Sequence, residues 1–365
     1  MRRLLRYLFL RPVLWASQKF SSRPQRDRIF RALEELNLDI LSNPGKKGIV
    51  MPFDLHGGKF IIFSDQHKGA RNGADDFMAA EPNYLAALEY YNDSDFVFIN
   101  LGDSEELWEN TLARVKKYNE ENFQAERKFV ARDAFVKVIG NHDLYWSNDP
   151  FAWWQLKKIF DADIKAYEGV ILETVIKGHQ FRIFCTHGHQ GDAQSDGNWF
   201  SKFFVARVWA PFQAYLRINP NTTAYDDTKK TLHNEIMYQW SSVQQHALLI
   251  TGHTHQPVFE SLTHIERLYR QYQQAESSGD KQVLADLYAE IKRREKEFTA
   301  VSADYLNMKP SYFNTGCCCF IDGDITGIEI EDGFIRLVKW TAKDGKSHRM
   351  LLEEIRLEEL SELLQ

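Results

Sequence analysis

Short apolar runs recur along the chain, and a polar cluster closes each one. "KFIIFS" leads to Asp65, "DFVFIN" to Gly102-Asp103, and "AFVKVI" to Gly140-Asn141. Later, "FRIFCT" leads to His187 and "ALLIT" to Gly252-His253. Their length and their β-branched and aromatic content predict strands. "NYLAALEYY" and the charged stretch 105–132 between them predict helices. This alternation predicts an α/β protein. Ligands of open α/β sheets collect at the carboxyl ends of strands, so five polar clusters at five strand ends can converge on one cleft.

Other segments are legible as elements. In "SNDPFAWWQLKKIF", Asp149 and Pro150 read as an N-cap followed by proline at the first helical position. Phe151, Trp154 and Leu156 are then available for burial, and the helix braces the loop before it. "DITGIEIEDGFIRLVKW" predicts a hairpin turning at Asp332-Gly333. The expected organisation is a basic amphipathic N-terminal segment (1–50), a catalytic domain (51–345) and a C-terminal helical tail (346–365). Two insertions interrupt the domain: an aromatic lid at 192–245 and a charged helical hairpin at 262–300, joined at Ser277 to Asp280. No internal repeat stands out.

At 365 residues, with 44% hydrophobic and 26% charged residues, the chain can bury a full core. Its net charge of -6 gives no general attraction to nucleic acid. The cysteines, Cys185 and the run Cys317, Cys318 and Cys319, have the spacing of neither a disulfide framework nor a CxxC metal site. A reducing, cytoplasmic setting is expected. Neighbours on a strand face opposite sides, so the triple run reads as buried strand filler without chemistry. In "MRRLLRYLFLRPVLW", Arg6 and Arg11 interrupt what would otherwise resemble a signal peptide, and the stretch is too short and charged to span a bilayer. Drawn as a helix, it places Leu4, Leu5, Leu8 and Phe9 beside Arg2, Arg3 and Arg6. That suits either peripheral contact with an anionic inner membrane face or ordinary packing on the domain.

The polar clusters in order are Asp65-x-His67, Gly102-Asp103, Gly140-Asn141-His142-Asp143, His187-Gly-His189 and Gly252-His253-Thr-His255. Each alone is weak, and a Gly-Asn-His-Asp run can be a polar turn. Five in order, each after an apolar strand, are a pattern. In D-x-H and H-x-H the alternate residues share one side of an extended chain, so each pair can point into one site. Carboxylates, imidazoles and one amide oxygen form a donor set suited to manganese, iron or zinc.

This pattern resembles that of the calcineurin-like metallophosphoesterase superfamily: D-x-H, G-D, G-N-H-D/E, H and G-H-x-H. The resemblance spans Lys59 to about Gly316. It implies a β-sandwich flanked by helices, with two divalent transition-metal ions at a sheet edge; manganese is the expected metal, iron or zinc the alternatives. One ion would take Asp65, His67, Asp103 and His255, the other Asp103, Asn141, His187 and His253. Asp103 would bridge them, since a carboxylate has two oxygens and a charge that lowers cation repulsion. The pair would clamp a phosphoryl group and acidify a bridging water into the attacking hydroxide. The resemblance makes His142 the group that protonates the leaving oxygen, with Asp143 orienting its ring. In "THGHQGD" either histidine can be the ligand; the family pattern selects His187 and leaves His189 and Asp192 near the rim, where they touch substrate or satisfy the loop.

The expected activity is hydrolysis of a phosphoester or pyrophosphate in a small or lipid-linked substrate. "GDSEELW" lacks the arginine of the phosphoprotein phosphatases' G-D-x-x-D-R-G. The "HGHQGD" block and the aromatic insertion are more similar to UDP-diacylglucosamine hydrolases, with Phe200, Phe203, Phe204, Trp209, Phe212 and Tyr215 as a candidate lid and Arg207 or Arg217 facing phosphate. The size and the charged insertion after His255 depart from that subfamily. Arg71 is a second candidate for phosphate contact, or an ordinary surface arginine. The alternatives are a phosphodiesterase or nuclease of the same superfamily, and a scaffold whose hairpin binds a protein partner.

Overall fold

The structure, a computed structural model, describes residues 24–72, 75–191, 227–278, 281–294 and 308–365. All five predicted strands form: β2 (Phe60–Phe63), β3 (Val97–Leu101), β4 (Phe135–Val138), β7 (His179–Thr186) and β8 (Ala247–Thr251). The others are β1 (Gly48–Pro52), β5 (Ala166–Tyr167), β6 (Gly169–Ile176), β9 (Val258–Phe259), β10 (Leu262–Thr263), β11 (Tyr312–Asn314), β12 (Ile325–Glu331), β13 (Phe334–Lys343) and β14 (Lys346–Arg356). They make two seven-stranded sheets, ordered β1-β6-β7-β8-β11-β9-β10 and β14-β13-β12-β2-β3-β4-β5.

The sheets face each other. Ile62, Ile99 and Val138 of one layer and Leu172, Ile183 and Ile250 of the other share a single buried cluster. The opposite strand faces are covered too. Ile61, Phe63 and Phe98 pack under α2 (Glu81–Asp93) through Tyr84, Leu88 and Tyr91. Ile171, Phe184 and Leu249 pack under α1 (Arg26–Ser42). Burial on both faces explains why the strands read as continuous apolar runs instead of alternating ones. The arrangement is an α/β sandwich of two mixed sheets flanked by helices.

Helix α1 shows what holds an outer layer. No side chain caps its N-terminus, and Ile29, Leu33, Leu36 and Ile40 form its buried stripe. Each contributes about 1.5–3 kcal/mol through burial, so packing rather than capping fixes the helix.

Parallel pairing sets the position of the polar clusters. Strands β2, β3 and β4 run parallel with Phe63 opposite Asn100 and Leu101 opposite Val138. In the other sheet β7, β8 and β11 are parallel, with Cys185 opposite Ile250 and Thr251 opposite Asn314. Loops leaving these strands therefore emerge together at one edge of the sandwich.

Several boundaries differ from the sequence reading. The domain begins before residue 51: β1 pairs with β6, and α1 packs on the sheet. The expected C-terminal helical tail is mostly strand, because β14 finds an antiparallel partner in β13; only Leu357–Leu363 is helical. The range assigned to a lid includes Asp227–Ser241, a helix whose Ile236, Met237 and Trp240 are core residues. The aromatic residues 200–215 and Arg207 and Arg217 lie outside the described residues, as does the N-terminal segment through residue 23. The charged insertion forms two helices, His264–Ser278 and Lys281–Arg294, with the rings of Tyr272 and Tyr288 at 6.4 Å. After Asp149, which accepts a hydrogen bond from the Phe151 N–H, helix Ala152–Phe160 buries Leu156, but Phe151 and Trp154 are exposed. Among the described residues no helix is long and apolar enough to cross a membrane.

Candidate metal centre

Three of the five polar clusters leave their strands through left-handed residues. Asp65 (φ 54°), His67 (49°), Asp103 (51°), His253 (68°) and His255 (56°) all have positive φ. The shared orientation of the D-x-H and H-x-H pairs thus comes from a coiled loop, not from an extended chain as their spacing suggests. Such backbone costs roughly 1–3 kcal/mol per residue and persists only where surrounding contacts hold it. Those contacts are visible. The His253 N–H donates to Asp65 Oδ2 (3.0 Å), the His142 N–H to Asp103 Oδ1 (2.7 Å), and the Asp65 N–H to the Gly102 carbonyl (3.0 Å). Glycines let these loops approach. A Cβ on Gly140 would sit 2.1 Å from Asp103 Oδ1, and one on Gly252 would sit 2.4 Å from Asp65 Oδ2.

The structure brings all seven proposed ligands together. His255 Nε2 lies 3.2 Å from Asp65 Oδ1 and 3.2 Å from His67 Nε2. His187 Nε2 lies 3.1 Å from Asp103 Oδ2 and 3.2 Å from Asn141 Oδ1. His253, with Asp103 and His187, offers ligand atoms all within 4.8 Å of one another. Asp103 Oδ2 stands between the two groups, 3.8 Å from His67 Nε2 on the other side. Of the seven, only His255 exceeds the buried range.

The donor set fits cations on an independent observation. Asp65 Oδ1 is buried without a well-formed hydrogen bond and faces the Nε2 atoms of His255 (3.2 Å), His67 (3.9 Å) and His187 (4.0 Å), a convergence of ligand atoms that a cation would satisfy. The rings are also preset. The Nδ1 of His187 faces the Leu101 carbonyl (2.9 Å) and the Nδ1 of His67 faces Glu106 Oε2 (2.9 Å). That leaves each Nε2 lone pair for the centre, the usual device for fixing a ligand imidazole.

Charge organises the site. Burial raises the Asp65 carboxyl, but the His255 and His187 rings outweigh it and bring it to about 2. Burial opposes charge on His67, yet the Glu106 hydrogen bond and the Asp103 charge lift it to about 9. His187 reaches about 9 against the same burial, through Asp103 and Asp65. In the absence of cations the carboxylates draw protons onto the rings that would hold them.

His142 sits beside both groups. Its ring stacks on Trp108 at 4.1 Å and meets His67 edge-on at 4.5 Å. The expected partner of the ring requires correction. Asp143 accepts from the backbone N–H groups of Gly140 (2.6 Å) and Ser104 (3.0 Å), so it ties two loops together. Glu106 Oε2, 2.7 Å from His142 Nδ1, is what orients the ring. Sequence reasoning missed Glu106, although "GDSEELW" carries an acid three residues beyond Asp103. Trp108 and His233 were missed as well; the His233 ring lies 5.2 Å from that of His253.

The remaining predicted residues divide. His189 is buried with its ring 5.4 Å from that of His187. Arg71 is committed elsewhere: its guanidinium pairs with Glu81 and reaches the Tyr118 carbonyl (3.3 Å), which argues against a phosphate contact. Asp192 lies outside the described residues. The cysteine run, expected on a strand, occupies the loop after β11, and Cys319 lies against His255.

Beneath the ligand loops lies a fully buried charge network. Lys68 pairs with Glu126 and with Glu105 (3.4 Å), and Lys137 pairs with Glu105 (2.8 Å). Trp146 Nε1 donates to Glu105 (2.7 Å) and the Tyr84 hydroxyl to Glu126 (2.8 Å). The network joins the loops that carry His67, Asp103 and Asn141.

Comparison with known proteins settles the family. The pattern that defines the calcineurin-like phosphoesterases matches residues 58–257, more than half of the chain. The chain belongs to this family. Among solved structures, this phosphoesterase-family chain is similar to vacuolar protein sorting 29 from Cryptosporidium parvum (12% identity, TM-score 0.33, covering 82% of this chain and 99% of that one). It is also similar to a dimetal phosphatase from Danio rerio (9% identity, TM-score 0.34, covering 82% and 100%). Both likenesses are too loose to bear on its chemistry. No curated protein matches it.

Proposed function

We propose that this chain is a dinuclear metal-dependent hydrolase of phosphoester or pyrophosphate bonds. The observation that carries the reading is Asp103 Oδ2, set between His187 Nε2 (3.1 Å) and His67 Nε2 (3.8 Å), with Asp65 Oδ1 buried and without a well-formed hydrogen bond beside them. Asp65, His67 and His255 would hold one cation and Asn141, His187 and His253 the other, with Asp103 shared. When bound, such a pair neutralises phosphoryl oxygens and acidifies water. Manganese, iron and zinc all suit the donors.

The chain's own residues do the rest. His142 delivers a proton to the leaving oxygen from Nε2 while Glu106 holds Nδ1. Stacking on Trp108 keeps the imidazole from tipping. Asp143 keeps the His142 loop registered against Ser104. A small or lipid-linked phosphate is the substrate class we favour, on the net charge of -6 and the aromatic segment 200–215. The N-terminal arginine and leucine pattern supports peripheral contact with a membrane from the cytoplasmic side.

The test is hydrolysis of aryl phosphodiesters and monoesters by purified protein with added manganese. Turnover that disappears in Asp103→Asn, together with bound metal, is the expected result. Metal-free protein that hydrolyses these esters as fast as the loaded form would remove the proposal.

A further inference from the structure

Each ligand ring needs something behind it, and at one ring that something is sulfur. His67 has a carboxylate at Nδ1 and His187 a backbone carbonyl. His255 turns Nε2 toward Asp65 Oδ1 (3.2 Å), and its Nδ1 lies 3.7 Å from Cys319 Sγ, within hydrogen-bond reach for sulfur. Cys317, also buried, belongs to the same group of side chains, interacting with His255 and with Cys319. Both cysteines are buried, at 1% and 8% exposure, so water does not compete freely for the ring. Cys318 between them faces the other way, into the apolar cluster with Phe63 and Val338.

We propose that Cys319 is a positioning residue that holds His255 at its Nδ1, with Cys317 beside it supporting that contact, and that the pair thereby sets the affinity of the cation position shared by Asp65, His67 and His255. A thiol accepts a hydrogen bond more weakly and at longer range than the oxygens behind His67 and His187, so the hold on this ring is the softer one and more readily lost. The inference rests on the hydrolase reading above.

The experiment is a manganese titration of the full chain by calorimetry, with metal content after gel filtration. Cys317→Ala/Cys319→Ala, and the near-isosteric Cys317→Val/Cys319→Val should the first not fold, are expected to weaken one of two cation positions about 10–100-fold. Cys317→Ser/Cys319→Ser, which keeps two acceptors, should restore binding to within about threefold of wild type, by the same reasoning on the ring's partner. Cys318→Ala should lower thermal stability and leave both affinities alone. Alanine and valine variants that bind two ions as wild type does would overturn the inference, and so would a sulfur-to-metal charge-transfer band in cobalt-loaded protein, which would mean direct ligation. Wild-type protein that takes up no cation would overturn the hydrolase reading, and this inference with it.

Discussion

Glu106 Oε2 lies 2.7 Å from Nδ1 of His142 and 2.9 Å from Nδ1 of His67, so a single oxygen steers both a candidate proton donor and a candidate metal ligand. The two functions should therefore fail together. Glu106→Gln is expected to weaken metal binding about tenfold and to cut turnover at saturating metal about a hundredfold. His142→Ala should cut turnover by a similar factor with metal content intact. Turnover and metal analysis on both variants check this, and the double variant should lose little beyond the worse single one, as expected of residues acting as a unit.

The pH response follows from the rings. His67 and His187 rise from 6.5 to about 9 in the metal-free protein. A raised histidine pKa stabilises the fold fully below about 6.5, and that contribution is lost as pH climbs through 9. The thermal midpoint of the chelated protein should therefore fall between pH 6.5 and 9. Metal binding must displace the same protons, so manganese affinity should weaken as pH drops below 9, by up to about tenfold per unit for each ring. Calorimetry in buffers of different ionisation heat would register the released protons.

Lys137 is fully buried with its ammonium 2.8 Å from Glu105. Lys137→Met leaves Glu105 with less compensation and should destabilise the protein by about 3–5 kcal/mol, measured by denaturant unfolding. Lys137→Met combined with Glu105→Gln should recover part of that loss, since the unpaired charge is then gone.

Gly140 touches the shared carboxylate. Gly140→Ala places a methyl 2.1 Å from Asp103 Oδ1, a contact no real side chain tolerates, so Asp103 or its loop must move. We expect metal affinity to fall at least about tenfold while far-ultraviolet circular dichroism is unchanged. Atomic absorption on the purified variant reads the outcome.

The strands before the ligand loops were legible because burial on both faces makes them continuous runs of Phe, Ile and Val. Ligand identity was legible because the clusters carry metal-binding types in a fixed order. Loop conformation was not. D-x-H spacing fits an extended chain, yet Asp65 and His67 are left-handed, a choice made by contacts with Gly102 and His253 that no local sequence encodes. Glu106 escaped notice because an acid on a helix-like stretch is ordinarily solvated, and only the fold turns it under two histidines. The stretch 346–356 read as part of a helical tail, and its pairing with β13 makes it strand β14 instead. Of the three residues offered for burial in the helix after Asp149, Leu156 is buried alongside Ile159 and Phe160, while Phe151 and Trp154 face outward.

Asp65, His67, Asp103 and Asn141 emerge from one sheet, His187, His253 and His255 from the other. A bound ion would consequently act as a rivet through the seam between layers, fastening leaves whose shared interior is greasy. Chelation should loosen that seam from its rim inward, quickening amide exchange around Leu101 and Thr186 well before either leaf frays.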